Sequence, residues 1–214
     1  MSSDTPARHE RAALADALAE AGPDAPTLCE GWDARRLLGH LISRERRPDA
    51  GPGIVLPGPF ADWTDKVERG YAERDFAEMI EQFRNGPPTF SVFAIPGVDA
   101  KANLGEYFVH CEDVRRPAGL EPRELPTEVD DALWAALPRL AKMMLRKEQK
   151  FTVHLRTPDG ERSATVGDSG AEVTLIGDPG ELMLYLFGRG AAADVELEGD
   201  EQSVARFRAV ELGL

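Results

Sequence analysis

Apolar residues recur at helical spacing through residues 1–149. Gly22-Pro23, Pro48 and Pro117 end three of the periodic segments, and Asp33 stands where an N-cap would begin the second. Pro138 lies inside the fifth segment and predicts a kink or a break there. The pattern predicts five helices: residues 7–21, 34–46, a long amphipathic stretch over 60–84, 102–116 and 128–147.

After Lys150 the spacing changes from helical to alternating. Phe151, Val153 and Leu155 alternate with polar residues, which is typical of a half-buried strand, and Pro158-Asp159-Gly160 predicts a turn. The rest of the pattern predicts strands at 161–167, 171–177 and 193–199 and helices at 180–189 and 200–210. The chain is therefore predicted to be α+β: a helical domain over residues 1–149, then a β-β-β-α-β-α domain over 150–214.

Charge and composition exclude several classes of partner. With 38 acidic and 25 basic residues the net charge is −13, which would repel nucleic acid and anionic membrane surfaces. No apolar run approaches the roughly 20 residues that span a bilayer. The polar start, Met1 to Glu10, does not resemble a signal peptide. We expect a cytoplasmic protein in which Cys29 and Cys111 are free thiols.

Three residues on two predicted helices are candidate metal ligands. Glu106 and His110 are four residues apart, which places both on one helical face about 5–6 Å from each other. His40 lies on the apolar face of an earlier helix. Helical bundles build interior metal sites from facing helices in this way, and a His₂Glu set leaves a fourth position open on zinc. The spacing alone favours ordinary structures over a metal site, because a Glu-x-x-x-His pair is usually a solvated salt link. A histidine on an apolar helix face is more often a hydrogen-bonded core residue than a ligand.

Three sequence segments resemble a known family. GWDARRLLGHL (31–41) and NLGEYFVHCEDVRR (103–116) resemble the metal-binding domain of the DinB-like superfamily, in particular the actinobacterial branch that contains mycothiol-dependent maleylpyruvate isomerase. LMLYLFGRGAAADVELEGD (182–200) resembles the small C-terminal domain of that family, which is similar to sterol-carrier-type folds. The resemblance implies a four- or five-helix bundle that binds zinc, or another divalent metal such as nickel, through His40, Glu106 and His110.

Three further residues have two readings each. Arg189 occupies a Gly-Arg position that the family uses to complete its active site, but an arginine after a helix also complements the helix dipole. Asp113 either hydrogen-bonds a ligating histidine or pairs with an arginine such as Arg116. Cys29 lies in a loop that can approach the metal, although ligation is the less favoured reading. Cys111 points away from His110 and is predicted to be a packed thiol.

The resemblance implies a thiol-dependent enzyme. In such an isomerase or S-transferase, the metal activates a low-molecular-weight thiol, mycothiol in the family, which attacks an electrophilic substrate, and Arg189 holds a carboxylate. Two alternatives stay open: a non-catalytic protein that binds metal or an apolar ligand, and a homo-oligomeric scaffold with a vestigial site. A homodimer is compatible with each of them.

Overall fold

A computed structural model describes residues 5–50, 58–89, 91, 98–145 and 151–213. The chain divides into two compact units, Met1–Glu124 and Leu125–Leu214. The first is helical, and the second combines helices with a four-stranded sheet, which confirms the predicted α+β class. Among the described residues, no helix has the length and apolarity that crossing a membrane requires.

The helices of the first unit begin where short polar side chains can cap them. Thr5, Asp33 and Asp75 each accept a hydrogen bond from a backbone N–H in the first turn of the helix that follows. The predicted N-cap at Asp33 is thereby confirmed. The helices are α1 (Pro6–Ala21), α2 (Ala34–Arg46), α3 (Pro59–Ala72), α4 (Phe76–Arg84) and α5 (Val98–Arg115), with a 3₁₀ turn at Arg116–Ala118.

The prediction of a single long helix over residues 60–84 is wrong, because α3 and α4 are separate helices. Asp75 caps α4 by accepting from the N–H of Glu78 at 2.9 Å, so the helix starts anew there. Trp63, on α3, is 43% exposed. Most of the Pro- and Gly-rich segment 48–59, which the sequence favours as a loop, and of segment 89–97, which it favours as a loop or a strand, lies outside the described residues.

Apolar faces of α1, α2, α4 and α5 form the core of the first unit. α1 packs along α5, and α3 packs against α2. Burying a large apolar side chain is worth about 1.5–3 kcal/mol, so this core accounts for most of the stabilisation of the helices. Its largest fully buried members include Leu14, Leu18, Leu37, Leu41, Met79, Phe83 and Tyr107.

The sixth helix, α6 (Thr127–Met144), differs from the sequence prediction in two ways. It runs unbroken through Pro138, because the buried residues Leu133, Leu137 and Leu140 hold it in place despite the missing N–H. It also packs on the helix Pro179–Leu184 of the second unit, and the two compact units divide after Glu124 rather than near residue 149.

The sheet of the second unit has the strand order β2-β1-β3-β4. The strand β1 (Phe151–Arg156) pairs antiparallel with β2 (Ser163–Val166) and parallel with β3 (Ala171–Ile176), which pairs antiparallel with β4 (Glu196–Glu198). Helix α7 (Pro179–Leu184) continues into a π-helical turn, Tyr185–Arg189, and α8 (Glu201–Arg208) buries Phe207 against Phe151.

Candidate metal centre

Three helices of the first unit bring a group of acidic and imidazole side chains together. α2 provides His40, and α3, which packs against α2, provides Glu68. α5 carries Glu106, His110 and Asp113, which lie on one face because their spacings of four and three residues match the helical repeat. All five side chains are at most half-exposed, and three of them are buried.

The predicted ligands converge. One donor atom each from His40, Glu106 and His110 lie within 4.8 Å of one another. Nε2 of His110 is 3.4 Å from Oε2 of Glu106, and the two imidazole rings meet edge to face with centroids 5.8 Å apart. Two imidazoles and one carboxylate suit zinc and similar divalent metals, and three protein ligands leave room for another group on the ion. The residues present therefore fit the implied metal.

A buried carboxylate supports each imidazole from behind. Nδ1 of His40 is 2.8 Å from Oε1 of Glu68, and Nδ1 of His110 is 2.9 Å from Oδ2 of Asp113. An ionised carboxylate only accepts hydrogen bonds, so each Nδ1 is the protonated nitrogen and each Nε2 is the one left for a ligand. Metal-binding histidines are oriented in this way in proteins.

The electrostatics of the pair on α5 favour its charged forms. Burial alone would raise the pKa of Glu106, but its hydrogen bond to His110, with the positive charges of His110, Arg44 and His40, lowers it to about 2. Burial would lower the pKa of His110. The effect of burial is outweighed by hydrogen bonds to Asp113, Cys29 and Glu106 and by the negative charge of Glu106. Together these raise the pKa of His110 well above 6.5. The pocket thus attracts positive charge, whether a proton or a metal ion.

Cys29 lies closer to this centre than its loop position indicated. Its thiol donates to Oδ2 of Asp113 at 3.2 Å, and donor atoms of Cys29, His110 and Asp113 also lie within 4.8 Å of one another. The two groups share His110, whose Nδ1 contacts Asp113 and whose Nε2 faces Glu106. Of the two readings of Asp113, the structure supports the contact with the histidine, whereas Arg116 pairs with Glu112 at 2.8 Å.

Among the described residues, the other thiol and the other two histidines lie outside both groups of potential ligands. Cys111 is fully buried in the core, and burial raises its pKa to about 12, so it is a packed thiol. Within the described residues, His9 and His154 belong to neither group of potential ligands. His9 contacts Glu10 at 3.1 Å, and His154 contacts Thr165 at 3.0 Å.

Arg189 belongs to the second unit. It ends the π-helical turn after α7, is half-buried, and donates from its guanidinium to the carbonyl of Phe187 at 2.6 Å. Gly188, just before it, adopts a φ of +83°, and a Cβ there would lie 2.4 Å from the carbonyl oxygen of Leu212. Only glycine fits this position, which sets the direction of the chain at Arg189. The catalytic role of Arg189 stays a prediction.

Sequence reasoning missed Glu68. The signal was present but weak: Thr64, Val67 and Glu68 are buried among the described side chains of α3, so an acidic residue stands on the face that turns inward. Buried carboxylates are rare unless they are paired. Its partner, His40, is 28 positions away in the sequence, and no local pattern connects the two.

Comparisons with known proteins agree with this architecture. Residues 125–206 match the family model of the MDMPI C-terminal domain, and the match begins at the first residue of the second unit. A solved structure of mycothiol-dependent maleylpyruvate isomerase matches with a TM-score of 0.55 at 14% identity, covering 90% of either chain. A mutant of that isomerase matches with a TM-score of 0.56, at the same identity and coverage.

The second unit is thus similar to the MDMPI C-terminal domain, and the chain as a whole has a fold similar to that of mycothiol-dependent maleylpyruvate isomerase. At 14% identity the structural likeness concerns the fold, and the family model covers the second unit. No curated protein sequence matches the chain. A shared fold does not determine function, so the chemistry of this protein depends on the residues of its site.

Proposed function

We propose that this protein is a metal-dependent enzyme that activates a low-molecular-weight thiol, of the mycothiol type, for addition to an electrophilic substrate. Zinc is the metal that we favour, with nickel as the second choice. The reaction is an isomerisation or an S-transfer. The protein of similar fold is named as a mycothiol-dependent isomerase, and this supports the choice of thiol.

One observation supports the proposal above all others: the donor atoms of His40, Glu106 and His110 converge within 4.8 Å. Each would hold the ion through one atom, and the carboxylates behind the two rings would keep them in place. A divalent ion with an open position lowers the pKa of a coordinated thiol and so supplies a nucleophile at neutral pH.

The three ligands also set the charge of the centre. Glu106 is ionised at every physiological pH, because its pKa is about 2. It would neutralise half of the charge of a divalent ion, while the two imidazoles would add none. A thiolate bound at the open position would then find a site with net positive charge. Arg189 would bind a carboxylate of the substrate or of the thiol, as the family resemblance implies.

The first test measures metal content by elemental mass spectrometry of the purified native protein. We expect about one zinc or nickel per chain in the wild type and none in the His40→Ala, His110→Ala double variant. The matched control is His9→Ala, His154→Ala, which also removes two histidines but touches neither ligand group. Equal metal contents in the two double variants would contradict the assignment.

The second test measures turnover of the metal-loaded protein. We expect loss of maleylpyruvate, or of a related conjugated electrophile, only when mycothiol is present. Arg189→Met should weaken substrate binding without loss of metal, since it keeps the length of the side chain but removes its charge. One bound metal without any thiol-dependent reaction would leave a metal-binding protein and refute the catalytic part of the proposal.

A further inference from the structure

Glu68 is a buried carboxylate that no part of the predicted ligand set includes. It is 4% exposed, it lies on α3, and its Oε1 is 2.8 Å from Nδ1 of His40. We propose that Glu68 is a positioning residue of the metal centre: it fixes the tautomer and the orientation of His40, so that Nε2 of His40 is presented to the ion. This inference rests on the proposed metal binding.

Burial makes the contact with His40 necessary for Glu68. The side chains of Glu68 and His40 are 5% and 12% exposed, so neither is well solvated by bulk water. A carboxylate at that depth needs a hydrogen-bond donor, and Nδ1–H of His40 supplies it. With Nδ1 occupied, the ring has one free nitrogen, Nε2. The same arrangement recurs at His110, where Asp113 accepts from Nδ1 at 2.9 Å.

The two carboxylates differ in how they reach their histidines. Asp113 lies three residues after His110 on the same helix, so α5 alone determines that contact. Glu68 reaches His40 from a different helix, so the orientation of this ligand depends on how α3 packs on α2. On the other side, the Trp32 ring is tilted against the imidazole, with centroids 5.2 Å apart. Glu68 and Trp32 together restrict rotation of the ring.

Three variants separate positioning from a simple effect of charge. Glu68→Ala removes both the acceptor and the charge. Glu68→Gln keeps an acceptor oxygen at the same reach and loses only the charge. Glu68→Asp keeps the charge but is one methylene too short to reach Nδ1. If Glu68 positions the ring, Glu68→Gln should bind zinc more tightly than Glu68→Asp does. If only its charge matters, the order should be the reverse.

The affinity for zinc is measured by competition with a chromogenic chelator, with zinc alone as the probe. We expect Glu68→Ala to bind zinc about 10–100 times more weakly than the wild type, the usual effect of losing such a partner. Asp65→Ala is the matched control, because Asp65 is also an acidic residue of α3 but pairs with Arg36 and Arg69. It should bind zinc as the wild type does. Circular dichroism checks that every variant is folded.

A second measurement does not depend on metal. Long-range ¹H–¹⁵N correlation spectra of the metal-free protein report which nitrogen of each neutral imidazole carries the proton. We expect the Nδ1–H tautomer for His40 in the wild type and in Glu68→Gln, and a shift toward Nε2–H in Glu68→Ala. The spectrum of the His110 ring should remain unchanged in all three, since Asp113 is intact.

The outcomes separate this inference from the proposed function. A wild-type protein that binds no zinc refutes the metal centre. An unchanged His40 tautomer in Glu68→Ala refutes the positioning role, whether or not metal binds. The positioning role is also refuted if Glu68→Ala binds zinc as tightly as the wild type. It is refuted as well if Glu68→Asp binds zinc more tightly than Glu68→Gln.

Discussion

Arg123 joins two buried carboxylates of the first unit, and its removal should destabilise that unit strongly. It lies in the segment that follows the 3₁₀ turn and bonds to Glu10 at 2.7 Å and to Glu112 at 2.8 Å. Its guanidinium also lies over the ring of Phe108, 5.4 Å from the centroid. We choose Arg123→Met, because methionine keeps the packing on Phe108 and removes only the charge and the donors.

The expected loss follows from the burial of the three side chains. Arg123, Glu10 and Glu112 are 14%, 0% and 1% exposed, so the carboxylates cannot recover their solvation when the arginine is lost. Removing one partner of a buried ion pair costs roughly 3–5 kcal/mol. In the variant Glu112 keeps its contact with Arg116 at 2.8 Å, and within the described residues Glu10 keeps a contact with the half-exposed His9. We therefore expect the lower end, about 3 kcal/mol.

The assay is urea unfolding followed by tryptophan fluorescence in a Trp134→Phe background. Trp32 and Trp63 are then the fluorophores, and both lie in the first unit. The control is Arg84→Met: Arg84 also contacts two carboxylates, Asp16 at 2.8 Å and Glu81 at 3.3 Å, but these are 70% and 66% exposed. Exposed pairs are worth about 0–1 kcal/mol.

A double-mutant cycle with Glu10→Gln tests the cause. If the buried charge of Glu10 is what destabilises Arg123→Met, the free energy of unfolding that the double variant loses should be smaller than the sum of the losses of the two single variants. The difference should be about 0.5–3 kcal/mol. The reasoning is refuted if Arg123→Met loses no more stability than Arg84→Met. Strict additivity in the cycle would show that packing, not pairing, carries the effect.

Two further predictions concern the metal centre and the second unit. Because the pKa of His110 is raised well above 6.5, its ring holds a proton at neutral pH that zinc must displace, so the apparent affinity for zinc should rise with pH through neutrality. Calorimetry in two buffers of different ionisation enthalpy should give about one proton released per zinc ion. A binding enthalpy that does not depend on the buffer would contradict this prediction. Gly188→Ala should lower stability by more than the roughly 1–2 kcal/mol that left-handed backbone costs, since its Cβ would be 2.4 Å from the oxygen of Leu212. The control is Gly160→Ala, which has a φ of +74° but no atom within 4 Å of its Cβ; equal melting temperatures for the two variants would contradict the argument.

Features encoded by neighbouring residues were predictable from the sequence. The N-cap at Asp33 and the strand β1 follow from residues within a few positions of each other. Features that depend on packing were not. Nothing local indicates that α6 belongs to the second unit or that its apolar face holds the helix through Pro138. The break between α3 and α4 was locally encoded by Asp75, but the amphipathic pattern on either side obscured it.

The candidate metal centre shows the same difference between features encoded locally and features that depend on packing. Glu106, His110 and Asp113 follow from the repeat of a single helix, so their proximity was predictable, and the observed distances agree with it. The approach of His40 to His110 is a contact between α2 and α5 across 70 residues, which the family resemblance implied but the spacing alone did not. Glu68 adds a third helix. Because the His40 imidazole depends on α3 while His110 is held within α5, a disturbance of α3 should displace one of the three proposed ligands and leave the other two in place.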